Sequence, residues 1–199
     1  MPDLPTVKPG TMQHLKTFPA KPVHNESIGY PGELVEDWQN KAVKRLGELV
    51  DGSQALRVFL DTCVKCGACT DKCHYFLGTE DPLNMPVARQ DLLRSVYRRY
   101  FTFAGKHFPK LVDAKDFDKP MLDDWYNYFH QCSQCRRCSV FCPYGIDTAE
   151  ISMAAREIMD SIGVGQKYCN EILGKVHKIG NNLGLPEPAL VDTLEGLEE

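Results

Sequence analysis

The sequence has 199 residues, room for one cored domain with appendages, and a formal net charge of −4 with a quarter of its residues charged. That balance excludes a nucleic-acid binder working through a general basic surface. No basic-then-apolar leader with a small-residue cleavage site opens the chain and no apolar run approaches the ~20 residues of a membrane helix, so a cytoplasmic protein with no direct membrane span is expected.

Residues 1–32 carry Pro2, Pro5, Pro9, Pro19, Pro22 and Pro31 with Gly10, Gly29 and Gly32, which predicts an extended arm rather than helix. From Glu33 to Val50, Leu34, Val35, Trp38, Ala42, Val43, Leu46, Leu49 and Val50 recur at helical spacing, with Asp51-Gly52 as the stop. Ser53 is placed to cap a shorter helix running toward Cys63. Asn84 is read as the cap of a helix reaching about Phe103, with Pro86 in its first turn. Asp118 is read as the cap of a helix running through Trp125, Tyr126 and Phe129 toward Cys132, and Thr148 as the cap of one ending at Gly163 and Gly165. A further helix is expected from Gln166 to about Ile179, and a short acidic one after Pro186 and Pro188. No segment alternates with a period of two, so the class is all-α, with a helical domain over 33–185 and a short acidic segment over 186–199.

Eight of the nine cysteines fall in two runs, Cys63-Val-Lys-Cys66-Gly-Ala-Cys69-Thr-Asp-Lys-Cys73 and Cys132-Ser-Gln-Cys135-Arg-Arg-Cys138-Ser-Val-Phe-Cys142. Both have the spacing C-x2-C-x2-C-x3-C of bacterial two-cluster ferredoxins, whose fourth cysteine ligates the other cluster. The expected ligands are Cys63, Cys66, Cys69 and Cys142 for one [4Fe–4S] cluster and Cys132, Cys135, Cys138 and Cys73 for the other. The 58 residues between the two runs read as helix, which favours a helical two-cluster ferredoxin domain over the compact β type. A structural zinc module is the rival, but zinc ribbons separate cysteine pairs by longer loops instead of packing three cysteines at two-residue gaps. The iron–sulfur subunit of succinate dehydrogenase or fumarate reductase would need further cysteines before Cys63, and none exists.

Gly67 is expected to turn sharply beside a cluster, and Lys65, Arg136 and Arg137 to lie in the binding loops. Cys169 is read as a small buried apolar residue, His74 and His130 as packing or surface groups beside ligands, and Trp125, Tyr126, Tyr128 and Phe129 as core. Arg94, Arg98, Arg99, Lys106 and Lys110 are read as one solvated basic face. No catalytic nucleophile–base pair is visible.

The segments Phe59-Leu-Asp-Thr-Cys63-Val-Lys-Cys66-Gly-Ala-Cys69, Gln131-Cys-Ser-Gln-Cys-Arg-Arg-Cys138 and Phe141-Cys-Pro-Tyr-Gly145-Ile-Asp147 resemble the heterodisulfide-reductase-like iron–sulfur family. Within it they are most similar to the N-terminal ferredoxin region of the K subunit (DsrK) of the sulfite-reduction-associated Dsr membrane complex. The resemblance runs from about His14 onward. It implies an electron-transfer part in dissimilatory sulfur metabolism, at the cytoplasmic face of the inner membrane. There the partners would be a quinone- and haem-bearing membrane subunit and a DsrC-like sulfur-carrier protein with disulfide or trisulfide chemistry. The family's catalytic Cys-Cys-Gly motifs have no counterpart among these 199 residues, which contain no adjacent cysteine pair. A short electron-relay subunit like the C subunit of heterodisulfide reductase is the alternative the resemblance leaves open.

Overall fold

A computed structural model describes Tyr30 and residues 32–197, so most of the expected proline-rich arm lies outside the described residues. The all-α class holds: the described residues form ten α-helices and two 3-10 turns, with no strand.

Helix α1 (Trp38–Gly52) starts five residues later than its apolar pattern suggests. Residues 33–35 stay extended because Val35 N–H donates to the Ile162 carbonyl at 3.1 Å, and Asp37 then turns the chain in a left-handed conformation. Asp51 and Gly52 belong to the last turn of α1, and Ser53 alone makes the break. Ser53 is extended, and its hydroxyl accepts from Leu56 N–H at 3.2 Å to cap α2 (Gln54–Thr62). After a 3-10 turn at Thr70–Lys72 and the short α3 (His74–Thr79), a second 3-10 turn at Pro82–Asn84 leads into α4 (Pro86–Phe101). Asn84 is not the cap of α4: Met85 holds that position, and the Asn84 side chain is buried in a polar network described below.

Helix α5 (Phe103–His107) is a single turn, and α6 (Lys119–His130) is capped by Asp118, which accepts from Met121 N–H at 3.0 Å, as expected. Helix α7 (Arg137–Val140) lies inside the second cysteine run. Helix α8 (Thr148–Ser161) is capped by Asp147 rather than Thr148; the Asp147 carboxylate accepts from Ala149 N–H at 2.9 Å.

Helix α8 packs on α1, α4 and α6 and forms the middle of the core. Its Ile151, Ala155, Ile158 and Met159 are fully buried against Leu46 of α1, Leu93 and Val96 of α4, and Leu122, Trp125 and Phe129 of α6. The last turns of α2 and α6 run directly into Cys63 and Cys132, so the repeat seen in the cysteines is a repeat of helix followed by loop. Tyr30 stacks on Tyr126 with ring centroids 4.0 Å apart, donates to Asp123 and accepts from Lys119 at 3.1 Å, which anchors the start of the described chain on α6.

Gly163 ends α8 with φ +90°, and a Cβ there would overlap the Glu33 carbonyl oxygen where the two segments meet. Gly163→Ala should therefore lose at least ~1–2 kcal/mol from the left-handed backbone alone. Thermal unfolding followed by circular dichroism reads this directly; an unchanged melting curve would mean that the contact between residues 33–35 and the end of α8 carries no stability.

Helix α9 (Lys167–Ile179) and α10 (Glu187–Glu195) follow and have no buried residue among those described. Cys169 lies on α9 and is exposed, with its thiol donating to Gln166 Oε1 at 3.2 Å, so it is not the buried apolar residue expected. Among the described residues none covers the apolar face of α9 enough to bury it, so its periodicity did not translate into burial. No described helix is long and apolar enough to cross a membrane.

Candidate metal centres

Each cysteine run opens on an extended residue after a helix and then folds back on itself through left-handed backbone. In the first run Lys65 and Gly67 have φ of 57° and 78°; in the second Gln134 and Arg136 both have φ of 57°. These residues flank Cys66 and Cys135 at equivalent positions. Alternating right- and left-handed residues turn successive backbone N–H groups toward one concave side, a form that binds anions and recurs at iron–sulfur sites. Gly67 adopts it without penalty, whereas Gln134, Lys65 and Arg136 do so at a cost of about 1–2 kcal/mol each. Arg136 is braced by Asp147, 3.2 Å from its Nε, and Ser139 donates to the same carboxylate at 2.8 Å, tying the second run to the start of α8.

The two runs enclose two cavities. The first is lined by Cys63, Cys66, Cys69, Cys138 and Cys142. The second is lined by Cys73, Cys132, Cys135 and Cys138. Each cavity is thus lined by cysteines of both runs. Cys138 borders both, so the two sites are immediate neighbours.

Cys73 is buried where α3 begins. Cys142 differs: Pro143 and a turn separate it from α8. Cys66 and Cys135 are exposed at the mouths of the cavities.

The fit to cubes rather than to single ions is geometric. Four thiolates on one zinc stand about 3.8 Å apart, given the ~2.3 Å Zn–S bond. Among the described residues no three Cys, His, Asp or Glu side chains converge closely enough to hold one metal ion. The sulfurs instead rim voids.

Burial pushes the Cys69 thiol up to about 11, with the Cys138 sulfur adding to it, while the Val87 backbone N–H pulls the other way. Burial likewise raises Cys138, opposed by hydrogen bonds from Thr148 and Ser139. Val87 is in the first turn of α4 and Thr148 in that of α8, so two helix N-termini face the thiolates, the polarity that suits anionic groups.

Sequence reasoning missed the arginines. Arg89 on α4 is 2% exposed; its Nη1 donates to Cys73 Sγ at 3.6 Å and its Nη2 to Asn84 Oδ1 at 2.9 Å. Asn84 Nδ2 donates to Thr79 Oγ1 at 3.0 Å and to Gln131 Oε1 at 2.8 Å, so one buried network joins Cys73 to the residue before Cys132. Arg156 on α8 donates to the carbonyls of Phe129 and Cys132. Arg94 is also buried, against the expectation of a solvated basic face, and its nearest carboxylate is Asp91 at 3.7 Å. The available signal was the helical period itself: Arg89 falls three and four residues before Leu92 and Leu93, inside the apolar stripe of α4. His74 bonds Ser133, packs on the Tyr75 ring and lines the second cavity, and His130 bonds the Tyr126 carbonyl; neither hydrogen-bonds a cysteine sulfur.

A 4Fe-4S dicluster domain family matches residues 59–146, the span that contains all eight motif cysteines. The chain is 45% identical over 168 residues to the Hdr-like menaquinol oxidoreductase iron-sulfur subunit 2 of Archaeoglobus fulgidus, covering 84% of this chain and 30% of that protein. It is 43% identical over 183 residues to the Hdr-like menaquinol oxidoreductase iron-sulfur subunit of Archaeoglobus profundus, covering 92% of this chain and 33% of that protein. It is also similar to one polypeptide of the dihydromethanophenazine:CoB--CoM heterodisulfide reductase of Methanosarcina barkeri, at 27% identity over 122 residues, 59% of this chain and 29% of that polypeptide. The chain spans about a third of the length of these curated relatives. No solved structure matches it significantly. The cofactors are therefore two [4Fe–4S] clusters, in agreement with the cavities.

Proposed function

We propose that this chain, which belongs to an Hdr-like iron–sulfur family, relays electrons through its two clusters as part of a membrane-associated oxidoreductase of dissimilatory sulfur metabolism. The observation that carries the relay is the pair of adjoining cavities, each lined by three cysteines of one run and by cysteines of the other, with Cys138 common to both. In this reading Cys63, Cys66, Cys69 and Cys142 hold one cluster, and Cys132, Cys135, Cys138 and Cys73 the other. When bound, the clusters supply one-electron storage. The chain's own residues supply the thiolates, the N–H groups that face them, and the buried arginines that balance their charge.

The donor side is a quinone- and haem-bearing membrane subunit, a reading supported by the menaquinol oxidoreductase names of the Archaeoglobus relatives. The acceptor side is a disulfide or trisulfide on a DsrC-like sulfur-carrier protein, supported by the likeness to part of a heterodisulfide reductase. With no adjacent cysteine pair and no nucleophile–base pair here, the sulfur bond is broken on another polypeptide segment or subunit. The chain works at the cytoplasmic face of the membrane, held there by its partners. Residues 1–32 are the arm that lies across such a partner, 33–185 the cluster domain and 186–199 an acidic connection.

Anaerobically purified protein should contain about eight irons and about eight acid-labile sulfides per chain. It should also bleach in the visible on reduction by a menaquinol analogue when the membrane partner is added. Stoichiometric zinc without labile sulfide would overturn the cluster assignment; full clusters that the quinol-linked partner never reduces would overturn the relay.

A further inference from the structure

The two cavities differ in the charge around them. No charged residue lines the first cavity, whereas Lys72, Arg89 and Arg136 line the second. Close to the first, Lys65 and Arg94 are answered by two carboxylates. Lys65 pairs with Asp91 at 2.8 Å, and Arg94 lies 3.7 Å from Asp91, in the fields of Arg98, Cys63 and Asp61. Around the second, Lys72 is answered by Asp71 and Arg136 by Asp147, but Arg89 and Arg156 have no carboxylate partner among the ion pairs of the described residues. Three cations thus line the second cavity and none lines the first.

Arg89 is the decisive one. Lys72, Asp71 and Arg136 are solvent-accessible, and water screens much of their charge. Arg89 and Arg94 are both buried with an unpartnered Nε, but only Arg89 has no carboxylate beside it, and the sulfur of Cys73 is the anionic group its guanidinium reaches. A buried cation with no counter-charge is costly, so its presence calls for a neighbouring anion to balance it. A cube with four thiolates is such an anion, and reduction adds one more negative charge to it. The opposing influence is the N-terminus of α4 beside Cys69, worth about half a charge at the first cavity and partly exposed to solvent, which is smaller than a full buried charge.

We propose that the second cavity is the higher-potential site and that Arg89 sets that order, so that an electron entering at the first cavity settles at the second. The redistribution moves one electron from one site to the other, with no bond made or broken and no proton taken up. It rests on the two-cluster assignment made above.

The experiment is a mediated redox titration of the anaerobically purified chain, followed by electron paramagnetic resonance. Two one-electron waves should appear. The exposed ligands label them: Cys135→Ser should move the higher wave and Cys66→Ser the lower. Arg89→Gln should lower the higher wave by at least tenfold in the reduction equilibrium, 59 mV for one electron, leaving the other in place. Arg89→Lys, which keeps the charge, should recover most of that shift. Arg94→Gln, whose charge Asp91 balances, should leave the higher wave unmoved.

A higher wave that follows Cys66→Ser, or an Arg89→Gln variant with unaltered potentials, would overturn the proposal. If Arg89→Gln retains only one cluster, the labelled waves of the unsubstituted chain and of Arg89→Lys decide alone. Absence of iron and labile sulfide from the unsubstituted chain would instead defeat the two-cluster assignment itself.

Discussion

Cys73→Ala combined with Cys132→Ala is expected to leave one intact cluster, whereas Cys73→Ala combined with Cys63→Ala should leave none. Cys73 and Cys132 line the same cavity although 58 residues separate them, while Cys63, in the same run as Cys73, lines the other. Under crossed ligation the first pair strikes one site twice and the second pair strikes both sites. Iron and labile sulfide should therefore fall from about eight to about four per chain in the first double variant and to about zero in the second. If each run held its own cluster, the two outcomes would be exchanged, so simple iron analysis separates the two arrangements. Cys169→Ala should keep the full content, because Cys169 is exposed on α9 and lines neither cavity.

Trp125→Ala should produce the largest loss of stability among substitutions that touch no ligand. The indole is 1% exposed, lies 4.6 Å from the Phe117 ring and 5.5 Å edge-on from Phe129, and donates to the Leu92 carbonyl at 3.3 Å. It joins α6 to α4. Truncating such a residue costs about 3–5 kcal/mol of packing, and the lost hydrogen bond adds about 1 kcal/mol at most because Ser95 also donates to Leu92. For a chain of this size that corresponds to a fall in apparent melting temperature of about 10 °C or more. Cluster loss makes unfolding irreversible, so the comparison needs equal scan rates under anaerobic conditions. A fall of only one or two degrees would mean that the α4–α6 contact is not the centre of the fold.

What the sequence disclosed and what it hid divide along the range of the interactions. Cysteines at two-residue gaps bind within one loop, so their chemistry was readable from local spacing, and the family match and cavities agree with it. The caps at Ser53 and Asp118 were readable for the same reason, since each bond closes within three residues. The start of α1 was hidden because it depends on a bond from Val35 to Ile162, more than a hundred residues away. Asn84 has the chemistry of a cap, yet its amide is spent on Thr79, Gln131 and Arg89, partners that only the folded chain brings together. Arg94 and Cys169 exchanged their expected environments. An arginine was buried by elements that pack over α4, and the apolar-looking face of α9 is exposed among the described residues.

The interleaving of the two cavity rims bears on how the chain matures during synthesis. The ribosome releases Cys63, Cys66 and Cys69 long before Cys142, so the first cavity lacks one wall until α6 and the second run have emerged. The second cavity, conversely, finds Cys73 already waiting when Cys132 appears. Neither rim closes until residues on both sides of α4 and α6 have met. Under the proposed crossed ligation, cofactor insertion is tied to completion of the helical core, and a translation product ended before Cys142 lacks one ligand of the first cluster.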